Sequence, residues 1–316
     1  IPAAIALGSF TFTMSALPGS PAIQNAIPMP YFGTTAFAAP GLGVIAGAIM
    51  AIGGLMYLTA MARAPRSATK MTEVEAAPTD QGPLPPAWVA ILPIVSVFVA
   101  NWVLSRHVLP RLDLGYLGTT EWGGVAASQV IGMWALIGAL AFAILLLLAL
   151  TLRRIEQPQD VLATGSQTAL LPLFNTAALV GFGAVVAALP AFAALSSAAS
   201  AMPGGVLPGL AASASLLAGL TGSASGGMSI ALDTLGADYL AAAQAQGVDP
   251  AALHRIVALA TGGLDALPHN GAVVTLLGIA KLTHREAYGP IFVVAVAIPV
   301  VALLVALGVA IVIGPF

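Results

Sequence analysis

Apolar runs of membrane-spanning length alternate with short polar segments along this chain. Residues 41–62, 88–104, 123–152 and 291–313 each form one apolar run. A helix needs roughly 17–25 such residues to cross the hydrocarbon core. The polar segments between them are short. Residues 62–86 are proline-rich and charged, residues 105–122 carry Arg106, Arg111, Asp113 and Glu121, and Arg153, Arg154, Glu156 and Asp160 mark a third loop. Trp88 and Trp102 stand where interfacial anchors stand. None of the long runs alternates with a period of two, which excludes a β-barrel. The pattern predicts an all-α polytopic membrane protein.

Between residues 161 and 281 the pattern changes. Apolar stretches there are interrupted by Pro172, Pro190, Pro203 and Pro208, and residues 234–255 read as a surface segment. Four interruptions fall in otherwise apolar surroundings: residues 16–30, 173–183, 220–228 and 262–271. Non-helical backbone at membrane depth survives only within protein or beside water. The breaks at 173–183 and 220–228 are therefore expected to converge near the bilayer midplane. Residues 16–18 and 266–268 both read Ala-Leu-Pro, each after small residues and before an apolar run. Paired interruptions in two halves point to an inverted-repeat transporter with re-entrant hairpins and broken helices; chance matching in an alanine-rich chain is the alternative. The expected organisation is 1–62 as the end of a first repeat, 63–86 as a polar loop, 87–160 as connecting spans and 161–316 as a second repeat.

Composition sharpens this picture. The chain is 59% hydrophobic and 7% charged, with a mean hydropathy of +0.99. Too little charge is present to cover a soluble domain. The net charge is −2 without a basic block, so nucleic-acid binding has no electrostatic footprint. There are no cysteines, so disulfides and thiolate-ligated metals are excluded. No metal or cofactor is implied. Arg63, Arg66, Lys70, Arg153 and Arg154 favour cytoplasmic placement of their loops, whereas Arg106 and Arg111 oppose it. The sequence opens at Ile1 without Met, in what reads as a helix already under way, so a longer protein is expected.

Among the ionisable residues, Asp265 and His269 are set deepest in apolar sequence. Intramembrane ionisable groups are functional candidates by default. Asp265 and His269 can carry or gate a proton; a capping Asp and a structural His form the alternative. The run 221–227 offers the hydroxyls of Thr221, Ser223 and Ser225, and Gly222 and Gly226 for close backbone approach. Half-helix N-termini there would present free N–H groups to a carboxylate. Tight helix packing through small residues is the alternative. Asn175 and Thr176 can bond a ligand or cap a hairpin. Ser20, Asn25 and Asn270 complete the polar set at the breaks, and no Arg or Lys lies within them.

Three stretches carry a resemblance to a known family. Residues 10–41 (FTFTMSALPGSPAIQNAIPMPYFGTTAFAAPG), 220–236 (LTGSASGGMSIALDTLG) and 253–288 resemble the gluconate:proton symporter (gluconate permease) family, in the same order. The likeness is weakest over 62–86 and 105–122. It implies the ion-transporter-superfamily architecture: two inverted repeats, each with a re-entrant hairpin and a broken helix, usually assembled as a homodimer. It also implies proton-coupled uptake of sugar acids or other small organic acids across a bacterial inner membrane. Related carriers take D-serine or hydroxybutyrate-like acids, and members are longer at the N-terminus.

Two other classes compete. Ser225, His269 and Asp265 are the residue types of a serine hydrolase. However, residues 222–226 read GSASG, with Ala224 at the centre of the five. A channel would need a continuous pore, which the asymmetric placement of Asp265 and His269 does not suggest.

Overall fold

The computed structural model describes residues 1–63, 86–152, 157–190, 194 and 204–316. The described elements are helical throughout. Four reach membrane-spanning length and hydropathy: Pro40–Arg63, Ala87–Arg111, Thr120–Thr151 and His284–Val312. They coincide with the four apolar runs. This is a polytopic helical membrane protein.

The N-terminal region is built of short pieces: α1 (Pro2–Phe10), α2 (Phe12–Ser15), α3 (Ile23–Ala26) and α4 (Pro28–Phe32), followed by the continuous α5 (Pro40–Arg63). Pro18, Pro21 and Pro28 lack the N–H that a continuing helix needs, so the chain between Ser15 and Ile23 is irregular. Helices α6 (Ala87–Val103) and α7 (Ala127–Thr151) pack on each other. Next comes α8 (Pro158–Ala187).

The C-terminal region holds a helical hairpin, α9 (Val206–Thr221) and α10 (Ala224–Ala245). It is followed by α11 (Pro250–Leu264), α12 (Gly271–Ile279), α13 (His284–Phe292) and α14 (Ile298–Val312). A π-helical turn, Val293–Ala297, joins the last two. Helix α11 lies at the centre. It packs against both hairpin helices, α14, and the N-terminal pieces α2, α3 and α4. All faces of α11 between Ala252 and Gly263 are buried, and the main apolar core runs along it. In chain order, both halves place a broken helix before a long apolar span, α5 or α14, and those two spans pack together.

Two expectations are corrected. The break expected at 173–183 is absent, because α8 runs unbroken through it. Pro172 and the glycines at 181 and 183 are tolerated, as Pro and Gly often are in membrane helices. Asn175 and Thr176 lie on this helix, and their side chains fall outside the described part. The expected surface segment 234–255 holds only in part: Asp238, Gln244, Gln246 and Asp249 are exposed, but the segment is helical and its end is buried. Helix α10 continues through it to Ala245, and α11 begins at Pro250 with Asp249 as N-cap. His254 and Arg255 are each 0% exposed.

The hairpin closes on a glycine. A Cβ at Gly227 of α10 would collide with the Ala218 backbone of α9. Gly227→Ala should therefore destabilise the protein by about 1–3 kcal/mol through overpacking. Gly308→Ala, where a Cβ meets nothing within 4 Å, should stay within about 1 kcal/mol of the parent. Thermal unfolding in detergent checks both.

Candidate functional site

The hairpin tip and the second break meet. Helix α9 ends at Thr221, and Gly222 turns the chain with φ +61°, which only glycine adopts freely. Ser223 is the N-cap of α10, its hydroxyl accepting from the Gly226 amide at 3.1 Å. The second break comprises residues 265–270, between α11 and α12. Asn270 caps α12 by accepting from Val273 N at 2.9 Å, and its Nδ2 donates to the Gly222 carbonyl at 2.8 Å. His269 Nε2 donates to the Gly219 carbonyl at 2.9 Å. Behind the break, His284 Nε2 donates to the Pro268 carbonyl and the Tyr288 hydroxyl to that of Ala266.

These bonds set two helix N-termini side by side, those of α10 and α12. The first amides of a helix have no intrahelical acceptor. The caps take Gly226 and Val273, so Ala224, Ser225, Gly271 and Ala272 keep free N–H groups. Gly271 and Ala272 are exposed, and Ser223 and Ser225 are half-buried. Two positive dipole ends meet here, and among the described residues no carboxylate caps either.

The hydroxyls differ in what they can offer. Thr221 Oγ1 donates to the Leu217 carbonyl at 2.7 Å, so its proton is used within α9. Ser223 accepts from Gly226, which leaves its proton free, and the Ser225 hydroxyl lies 3.5 Å from it. Gly222 and Gly226 are buried beneath. Asp265 is 4% exposed, and its Oδ1 has no hydrogen-bond partner among the described residues. His269 is exposed and turned to Gly219. Asp265 and His269 therefore share one break but not one hydrogen bond. A Ser225–His269 hydrogen bond is likewise absent among the described residues.

Ser20 and Asn25 belong to a second polar cluster at the first break. Ser20 Oγ donates to the Thr13 carbonyl, and Asn25 Nδ2 donates to the carbonyls of Ser20 and Ala36, both at 2.9 Å. Asn25 Oδ1 meets His254 Nε2 at 3.1 Å, and His254 Nδ1 meets the Thr34 hydroxyl at 2.6 Å. Beside it, Arg255 donates to the carbonyls of Ser15, Ala16, Ala36 and Ala38 at 2.9–3.5 Å. Tyr31 of α4 bonds Asp233 of α10. The sequence reading missed His254, Arg255, Tyr31 and Asp233. The sequence signalled the helix that carries the first two but not their burial: Asp249-Pro250 starts a helix, and Ala252, Leu253, Ile256 and Val257 form an apolar stripe on one side of its first turns. Elsewhere, a cleft of about 490 Å³ is lined by Thr34, Thr35, Arg106 and Asp249, among others.

Asn270 has two separable tasks. Asn270→Ala should lose the cap, at about 0.5–2 kcal/mol, together with the tie to Gly222. Asn270→Asp keeps an acceptor for the cap but loses the donor. Hydrogen exchange should quicken at 219–223 and 271–274 in the alanine variant, and only at 219–223 in the aspartate variant.

Comparison with known proteins agrees with this architecture. The chain is 37% identical over 311 residues to a Bacillus subtilis (strain 168) protein named "Uncharacterized transporter YxjC". The alignment covers 92% of this chain and 66% of that protein, so the chain spans just under two thirds of its relative. No family model matches the chain, and no solved structure does. The chain is thus a polytopic helical membrane protein with broken helices, similar over most of its length to a protein named as a transporter.

Proposed function

We propose that this protein is a secondary active transporter that carries gluconate, or a related sugar acid or hydroxy-carboxylate, together with protons across a bacterial inner membrane. The observation that carries this reading is the pairing of the α10 and α12 N-termini across the Asn270–Gly222 hydrogen bond. Free amides and the Ser223 hydroxyl suit a carboxylate there. The sequence resemblance to gluconate permeases and the similarity to a protein named as a transporter support the same reading. In this account Asn175, Thr176, Ser225 and Asn270 are candidate contacts for the rest of the substrate, whereas Ser20, Asn25 and Thr221, first expected there, spend their donors on main-chain carbonyls and hold the breaks instead. The working unit is a homodimer.

Asp265 is the proposed proton carrier, with His269 as its neighbour across the break. A buried carboxyl with one oxygen left unpartnered is costly as an anion. Proton binding would remove its charge before an anionic substrate arrives, so the order is proton first, substrate second. Alternating access then exposes Asp265 to each side in turn.

Vesicle uptake tests the reading. An alkaline interior should drive saturable accumulation of a hydroxy-acid, with counterflow; no uptake or counterflow across a panel of such acids would reject it. Asp265→Asn should abolish accumulation driven by the pH gradient yet keep substrate exchange, because exchange needs no net proton movement. Accumulation that survives in both Asp265→Asn and His269→Gln would make this pair structural. Ser223→Gly removes the hydroxyl at a cap position that tolerates glycine with a loss of only a few tenths of a kcal/mol. It should raise KM by about 10- to 150-fold, the equivalent of a lost hydrogen bond to a charged ligand at about 1.5–3 kcal/mol. Unchanged KM would remove Ser223 from the site.

A further inference from the structure

The cluster at the first break has a geometry that a packing role does not require. Arg255 spreads five hydrogen bonds over two separate stretches of the N-terminal region, residues 15–16 and residues 36–38. Its planar fork reaches all of them at once, which a lysine ammonium cannot do. Helix α5 comes close enough to join them because residue 43 is glycine. A Cβ there would collide with the Ala16 carbonyl and stand 3.3 Å from Arg255 Nε.

His254 adds two further anchors. Asn25 Nδ2 is committed to two carbonyls, so Asn25 Oδ1 is an acceptor and His254 Nε2 must donate to it. The Thr34 hydroxyl then donates to Nδ1. One neutral imidazole thereby joins α3 to the loop after α4. Farther along α11, the backbone at Gly262 lies against Ser15, where a Cβ would stand 3.1 Å from the Ser15 Cβ. Contacts at both ends of one rigid helix fix orientation as well as position. That same helix leads directly into the second break, ten residues or about 15 Å beyond Arg255.

We propose that His254 and Arg255 are positioning residues that fasten the first break to α11, so that both breaks travel as one body when the carrier changes the side to which it opens. This rests on the carrier reading above. The chain has no cysteine, so a staple can be introduced cleanly. Ser15→Cys with Gly262→Cys sets the two Cβ atoms 3.1 Å apart, so a shift of a few tenths of an ångström reaches the roughly 3.5–4.5 Å separation of a disulfide.

In the otherwise unaltered protein, the oxidised pair should transport about as fast as the reduced pair. Oxidation that stops transport, with recovery on reduction, would show that the two elements move relative to each other and overturn the proposal. Arg255→Lys should lower the uptake rate by about tenfold or more, and the staple should restore most of it, because a covalent tie replaces the lost one. A failure of the staple to rescue Arg255→Lys would also overturn it. Hydrogen exchange gives a readout independent of transport. Arg255→Lys should quicken exchange across 16–38 while leaving α9 unchanged; no change, or an equal rise everywhere, counts against the clamp. If no substrate is ever transported, the carrier reading fails, while exchange still decides whether the clamp exists.

Discussion

A carbonyl released from a broken helix inside a membrane must find a donor, and at the first break that donor is Arg255. Each unpaired buried carbonyl would cost about 1–3 kcal/mol. Burying a guanidinium alone costs several kcal/mol. Neither cost is met separately here, because the cation and four carbonyls satisfy one another. The arrangement satisfies the freed backbone at Ser15–Ala16 and Ala36–Ala38, on either side of the short helices α3 and α4, without exposing it to lipid. It also explains why α11 is buried on all faces and sits between both halves of the molecule.

The second break is satisfied by different chemistry. Two side-chain donors, the Asn270 amide and the His269 imidazole, occupy the carbonyls of Gly222 and Gly219. Among the described residues no Arg or Lys bonds this site, and the helix ends that meet there are N-termini. A cation holds carbonyl groups at one break, whereas amide groups are left open at the other. That contrast gives the two breaks separate roles, one holding the framework and one facing a ligand. Asp265 lies at the second, buried and without a partner for Oδ1, where its charge state bears directly on an incoming anion.

Much of the fold was legible in the sequence. The four long apolar runs became spans because helix formation in lipid depends chiefly on length and hydropathy. The breaks at 16–30, 220–228 and 262–271 were legible because Pro18, Gly222 and Pro268 act locally on the backbone. The break expected at 173–183 failed for the reverse reason: small residues and glycine permit a break without requiring one, and nothing there stops α8. His254 and Arg255 were hidden because their partners are main-chain carbonyls more than two hundred residues away. A carbonyl carries no residue identity, so no pattern of side chains announces it. Thr221 shows a related limit, since sequence supplies a hydroxyl but not the fact that α9 already uses its proton.

The central claim is that a carboxylate is held where the N-termini of α10 and α12 meet. A structure determined with a transported hydroxy-acid bound tests it most directly. The account predicts carboxylate density between Ser223 and Asn270, within hydrogen-bonding distance of the free amides at 224–225 and 271–272. Density confined instead to the cleft lined by Thr34, Thr35 and Arg106, with the paired N-termini empty, would contradict it.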